Sequence, residues 1–299
     1  MRPPEREQVP ATATERQRCS RGVTELRRAS LEHGSIVVSA GSVLDFGGGT
    51  DWTPATVAIV NAANCGGLGG GGVDGAITSA GGPQLAADRR ALPILEGTYM
   101  DRITTGGAVL TGPGCYGRLH AANVIHAVGP NYIVLDGVGD SLEDGDVLLS
   151  DAYSASMRTA ADAGIEFIGF SLLSAGIFRG PRSLEHVLRL GMEAITECAY
   201  PGLKEVHLVA FMDEEQQVLI DLIEAAAAVK AEKDTLPEGT PEDKETPFAH
   251  VHLVAAQRAY VTVAASRAGV DGVEVPRTGR EVYVALHRCY KTGNLDLPE

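Results

Sequence analysis

The chain has 299 residues, with 25 basic against 39 acidic side chains and a formal charge of −14, enough length for a substantial core in one or two domains. So acidic a surface repels nucleic-acid phosphates, which excludes sequence-independent DNA or RNA binding, and no stretch approaches the roughly 20 apolar residues that span a bilayer. The five cysteines (Cys19, Cys65, Cys115, Cys198, Cys289) are scattered without CxxC spacing. That excludes a disulfide framework or zinc ribbon, predicts no metal centre and fits a reducing compartment.

Residues 1–35 are polar, with seven arginines (Arg2, Arg6, Arg16, Arg18, Arg21, Arg27, Arg28) interspersed with glutamates. No apolar signal core is present, and the acids argue against a transit peptide. A disordered tail is expected there, and a cytoplasmic or nuclear location for the protein. From Ile36 onward, apolar β-branched runs alternate with amphipathic stretches. Ile36–Ala40, Val57–Asn61, Val124–Val128, Glu166–Ser171 and Glu205–Phe211 read as buried strands, apolar without strict alternation. A helix is expected from a cap at Ser150 or Asp151, through Tyr153, Met157 and Ala161, to Gly164. Pro181 opens another, with Leu184, Val187, Leu188, Ile195 and Cys198 in helical phase. Asp213 caps a third, which fades near Lys230. Strand–helix alternation of this kind predicts an α/β fold, a mostly parallel sheet covered on both faces. The charged, proline-broken segment 231–249 reads as a linker, and residues 250–299 as a small appendage packed on the core.

The most informative run is VAIVNAANCGGLGGGGVDGAI, residues 57–77. An apolar strand delivers Asn61 and Asn64 into a loop with four consecutive glycines, and Asp74 follows where a helix should begin. Glycines let backbone N–H groups approach oxygen atoms that a Cβ would hold away, and a helix N-terminus turns its dipole toward an anion. The run lacks the Gly-Lys-Ser/Thr of a Walker loop and fits the dinucleotide fingerprint poorly. What remains is a phosphate cradle built from backbone donors. An aspartate at a helix start is stabilising, typically by ~0.3–1 kcal/mol, yet beside such a cradle it repels the ligand that the loop attracts. That conflict favours a functional role: orienting or deprotonating a water, or holding a sugar hydroxyl. A second cluster, SLLSAGIFRGP at 171–181, again follows a strand, and Ser174, Ala175 and Gly176 offer further backbone donors. Phe178 is either a core anchor or a ring against a sugar. His126, mid-strand in VIHAVGP, reads as a satisfied core histidine. Cys65 beside the loop has no histidine nearby in sequence to serve as base and reads as a small loop residue.

In that order, NAAN…GGGGVDGAI, VIHAVGP and SAGIF resemble the macrodomain family, and the GGGGVDG form looks closest to MacroD-type ADP-ribosyl hydrolases. The resemblance covers roughly residues 36–230. It implies a three-layer α/β/α domain with a mixed, mostly parallel sheet and a cleft for ADP-ribose, with no further cofactor. Its implied partners are ADP-ribosylated proteins or ADP-ribose derivatives. Members of this class remove ADP-ribose from acidic side chains and deacetylate O-acetyl-ADP-ribose, by water attack at the distal ribose or ester. Carried over by position, Asn64 would contact the distal ribose and Asp74 would position or activate the water. Gly70, Gly71, Gly72 and Val73 would approach the distal ribose and diphosphate. Ser174, Ala175, Gly176, Ile177 and Phe178 would wrap the diphosphate, with the Phe178 ring on the distal ribose. Phe211 would face the adenine, and Asn61 belongs to the same ligand-binding set.

Three positions depart from the family pattern. Ser42 and Val43 stand where the family has Asp-Ile, so the adenine amino group loses a charge-assisted acceptor, which roughly halves such a bond's strength. Asp45 lies close enough in sequence to substitute. Thr78 stands where MacroD-type enzymes tend to have a histidine supporting the aspartate. Residues 46–54 look like an insertion beside the adenine end. The implied function is an ADP-ribosyl ester hydrolase, and the alternative is a reader that binds ADP-ribose without cleaving it.

Overall fold

The computed structural model describes residues 22–48, 52–139 and 141–235, with side chains through residue 228. The other expectations above, for residues 1–21, the segment 236–249 and the appendage, lie outside the described residues. Seven strands form one sheet: β1 (Thr24–Ser30), β2 (Ser35–Ala40), β3 (Val57–Ala62), β4 (Ala108–Thr111), β5 (Asn123–Ala127), β6 (Phe167–Phe170) and β7 (Glu205–Ala210). Their spatial order is β1-β2-β7-β6-β3-β5-β4. The five inner strands are parallel, and the two edge strands pair antiparallel. The helices are α1 (Gly72–Ala91), α2 (Tyr132–Val138), α3 (Leu142–Asp162), α4 (Leu184–Glu197) and α5 (Asp213–Thr235).

Period-two alternation decides which side chains meet which layer. On β3, Ala58 and Val60 join the core shared with Tyr153 and Met157 of α3 and Val187 and Leu188 of α4. Val57 and Ile59 point the other way, to Ile77 and Leu85 of α1. The same parity turns Asn61, two residues after Ile59, toward the α1 layer. On β5 it does so for His126, two residues after Val124, and Asn61 and His126 are register partners. Two polar residues are thereby placed side by side beneath the start of α1.

The five expected strands are present, and the sequence reading missed β1 and β4. Residues 24–30 do not belong to a disordered tail. They pair with β2 as an edge strand whose side chains are mostly exposed, so no apolar run marks them. Neither Ser150 nor Asp151 caps α3. Ser141 does, accepting from Asp144 N at 3.2 Å, nine residues earlier, because the early turns are stabilised by this cap and acidic first-turn residues despite Gly145. Likewise Ser183, not Pro181, opens α4, accepting from His186 N at 3.1 Å. Helix α5 continues past Lys230 to Thr235, so the first residues of the expected linker are helical.

Helix α1 is two helical pieces joined at Gly82, whose φ of 66° and ψ of −160° precede Pro83. Only glycine takes such a conformation without strain, and proline cannot continue the ladder behind it.

Candidate functional site

Because the five inner strands are parallel, their C-terminal ends share one edge of the sheet, the position where ligands bind in such folds. Ala63 to Asp74 follows β3, and Ser171 to Gly180 follows the adjacent β6. Ser171 ties the two exits together: its hydroxyl donates to Val60 O (2.7 Å) and accepts from Ala62 N (3.1 Å).

Asn64 shapes the first loop from within. Its Nδ2 donates to Gly69 O (2.9 Å), and its Oδ1 accepts from Gly67 N (3.2 Å). Cys65 O accepts from the backbone N–H groups of Arg102 and Ile103, so the segment after α1 braces the loop from outside. The N–H groups of Gly70, Gly71, Gly72, Val73 and Asp74 donate to no group among the described residues. Those of Gly72 to Asp74 are the free donors of a helix start. In the second loop, Ser174 has a left-handed φ of 53° and is fixed by its hydroxyl donating to Pro130 O at 2.7 Å. Ser174, Gly176, Ile177 and Phe178 likewise carry N–H groups without an acceptor among the described residues. Two sets of backbone donors thus lie at the exits of neighbouring strands, an arrangement suited to an extended anion.

Asp74 is buried, 3% exposed. Its Oδ1 accepts from Asn61 Nδ2 and from Arg89 Nη1, both at 2.8 Å. Its Oδ2 has no partner among the described residues. A Cβ on Gly70 would stand 3.0 Å from Asn64 Nδ2 and 3.1 Å from Asp74 Oδ2. The amide and the buried, unpaired carboxylate oxygen therefore both lie against Gly70, where a side chain would crowd them.

The sequence reading missed Arg89. It is fully buried and donates from Nε to Gly67 O and from Nη1 to Asp74 Oδ1 and Thr78 Oγ1, the last at 2.7 Å. Thr78, where a supporting histidine was expected, donates to Asp74 O at 2.8 Å and accepts from this arginine. The available signal was Gly82-Pro83, which marks a break that can turn the following residues back on the loop.

Asn61 is wholly buried and supports Asp74 instead of lining the cleft. Its Nδ2 also meets His126 Nδ1 at 3.1 Å, and His126 Nε2 meets Thr111 Oγ1 at 2.9 Å. Since the amide hydrogens donate, Nδ1 accepts and Nε2 carries the proton. Burial, reinforced by the Arg89 charge, holds the His126 pKa down at about 3, so the ring is neutral. It is a core histidine, as its strand position predicts. Val43 also departs from expectation: its side chain is buried with Phe46 and Ile59, because it starts a short 3-10 turn over the core. Ser42 caps that turn, accepting from Leu44 N at 3.3 Å, and keeps a hydroxyl proton to donate. Ala175 is buried, whereas Gly176, Ile177, Phe178 and Phe211 are exposed. Phe211 is 77% exposed at the end of β7. The Cys65 thiol lies 3.6 Å from Thr105 Oγ1, not beside an imidazole. Ser39, His207 and Glu205 form a hydrogen-bonded relay, but Ser39 and His207 are fully buried in the sheet and no substrate can reach them. Among the described residues, no cluster of His, Cys, Asp and Glu is placed to hold a metal, and no helix is long and apolar enough to cross a membrane.

A parallel-centred α/β/α sandwich with backbone anion donors at its strand ends, and a buried Asn-Asp-Arg group beneath them, defines a class of ligand-binding domain. Comparison with known proteins narrows it. The Macro domain family model matches residues 60–186. A Macro domain-containing protein in the gbd 3'region of Cupriavidus necator is 42% identical over 163 residues, covering 54% of this chain and 86% of that protein. O-acetyl-ADP-ribose deacetylase 1 of Pantoea vagans is 36% identical over 168 residues, covering 56% of this chain and 90% of that protein. The solved structure of the Oceanobacillus iheyensis macrodomain with ADP superposes with a TM-score of 0.56 at 22% identity, covering 69% of this chain and 98% of that one. The chain belongs to the Macro domain family.

Proposed function

We propose that this protein binds ADP-ribose and hydrolyses its esters, releasing it from glutamate or aspartate side chains or from the acetyl group of O-acetyl-ADP-ribose. The observation that carries the reading is the meeting of the Asn64 amide and the unpaired Asp74 oxygen against Gly70, next to a row of N–H donors without acceptors among the described residues. A diphosphate on those donors would bring the attached distal ribose beside Gly70. An amide donor can hold a ribose hydroxyl there while the carboxylate oxygen accepts from a second hydroxyl or from a water. Water adds at the acyl carbon or at the ribose carbon, the acyl–oxygen or the ribose–oxygen bond breaks accordingly, and a carboxylic acid and ADP-ribose leave. The ester is already activated, so positioning a water next to it supplies much of the barrier reduction. Phe211 offers an apolar face for the adenine and Ser42 a hydroxyl. Relatives named O-acetyl-ADP-ribose deacetylase support the reaction class.

The burial of Asp74 and its ties to Asn61 and Arg89 favour a second reading, a module that binds ADP-ribose without turnover. Cleavage of an ADP-ribosylated glutamyl protein and of O-acetyl-ADP-ribose by the wild-type protein separates the two. Hydrolysis is expected, with Asp74→Ala retaining binding and losing most turnover. Unchanged turnover in that variant sinks the mechanism, and binding without cleavage over hours hands the case to the reader.

A further inference from the structure

Arg89 and Asp74 are 15 residues apart on the two pieces of α1, yet their side chains touch at 2.8 Å. A straight helix would separate them by about 22 Å along its axis, at about 1.5 Å per residue. The Gly82–Pro83 break folds the second half of α1 back and removes that separation. Burying a guanidinium completely is rare and costly, and an apolar residue of similar volume often serves stability as well. A structural role alone therefore explains the arginine poorly.

Its contacts fit the site better. Nε fixes Gly67 O, in the loop that Asn64 also closes, and Nη1 bridges Asp74 Oδ1 and Thr78 Oγ1. With Asn61 on the same Oδ1, only Oδ2 is left toward Gly70. The arrangement also resolves the electrostatic conflict in the sequence: a lone aspartate would repel an anion on the neighbouring N–H donors, and a cation in contact with it removes most of that repulsion.

We propose that Arg89 is a positioning residue for this site, offsetting the charge of Asp74 beside the anion donors and holding the carboxylate so that Oδ2 faces Gly70. Its ligand is the ADP-ribose of the preceding reading, on which the proposal rests. Lysine in its place keeps the charge but not the fork that reaches Gly67, Asp74 and Thr78 together.

The test is calorimetric binding of ADP-ribose at low and high salt, with turnover measured alongside. Arg89→Met is expected to weaken ADP-ribose binding about tenfold at low salt, with the loss shrinking as salt screens the uncompensated Asp74 charge from the anionic ligand. Arg89→Lys should keep affinity within about threefold while kcat falls at least about tenfold, since geometry rather than charge is disturbed. The double variant Asp74→Asn with Arg89→Met should return to within about threefold of wild-type affinity, because neither charge remains. Wild-type affinity in folded Arg89→Met at every salt concentration overturns the proposal. So does a salt-independent loss that the double variant does not recover, the pattern of a purely structural residue. Should Arg89→Met fail to fold, Arg89→Lys and the double variant decide by the same criteria. If the wild-type chain does not bind ADP-ribose, the functional reading falls alone. The Arg89–Asp74 coupling is then read from urea midpoints of the single and double variants, where simple additivity overturns it.

Discussion

Gly70→Ala tests the geometry of the site with a single methyl group. Gly70 is exposed and outside the left-handed region, so alanine adds no backbone strain and meets only two neighbours, Asn64 Nδ2 at 3.0 Å and Asp74 Oδ2 at 3.1 Å. Ordinary van der Waals contact begins near 3.4 Å, so both groups must retreat by a few tenths of an ångström. Neither can do so freely. Asn64 is held on Gly67 and Gly69, and Asp74 on Asn61 and Arg89. Since a misplacement of about 1 Å costs around a hundredfold, a shift of this size is expected to lower kcat/KM about tenfold, or about 1.4 kcal/mol. Folding stability should change by less than about 1 kcal/mol, as for most exposed substitutions. Release of acetate from O-acetyl-ADP-ribose and a urea titration measure the two quantities. Turnover within twofold of wild type at unchanged stability would refute the idea that Asn64 and Asp74 act together beside Gly70.

Other outcomes follow from the same geometry. Gly82→Ala forces a side chain into a glycine conformation (φ 66°, ψ −160°) and should cost about 1–3 kcal/mol in urea, with turnover falling further as Arg89 is displaced. Phe211→Ala removes an exposed ring, so stability should hold while ADP-ribose affinity drops about tenfold by calorimetry, the scale of one base-stacking contact. His126 is neutral in the fold, with its pKa held down at about 3, so the unfolded chain binds the extra proton. Its contribution to stability is then constant above the ordinary pKa of 6.5 and declines as pH falls toward 3, by up to about 1.4 kcal/mol per pH unit. Denaturation midpoints against pH for wild type and His126→Gln check this, the variant losing that part of the slope.

What the sequence revealed of the fold was what burial writes into composition. The parallel strands are buried on both faces, so Val57–Ala62 and Asn123–Ala127 read as largely apolar runs without strict alternation. The edge strands escaped for the converse reason. Thr24–Ser30 exposes most of its side chains, and Ala108–Thr111 is four residues long and only partly covered. Its pairing with β5 is a matter of backbone hydrogen bonds, which no side-chain pattern announces. The start of α3 was missed because Gly145 weakens the helical signal just where the Ser141 cap supplies the missing stabilisation.

The site divides along a similar line. Asn61, Asn64, the glycines and Asp74 lie within one run, so their spacing alone makes them a group. The residue that makes Asp74 tolerable lies outside it, and its relation to the run depends on a change of direction at Gly82. Asn61 was misassigned for a related reason. Spacing puts it next to Asn64, but strand parity turns its side chain under α1, where it meets Asp74 and His126 and never reaches the cleft. The motifs pointed to the family, whereas the conflict between an acid and an anion cradle pointed to what lies behind the loop. It required a nearby compensating cation, and the only side chain bonded to Asp74 that carries one among the described residues is Arg89. The site is accordingly a layered device. Backbone donors without acceptors form its outer layer, Asn64 and Asp74 lie against Gly70 behind them, and Asn61, Thr78 and Arg89 hold that second layer in place. The outer layer can be read from glycine content, whereas the layer behind it exists only once the helix has folded back.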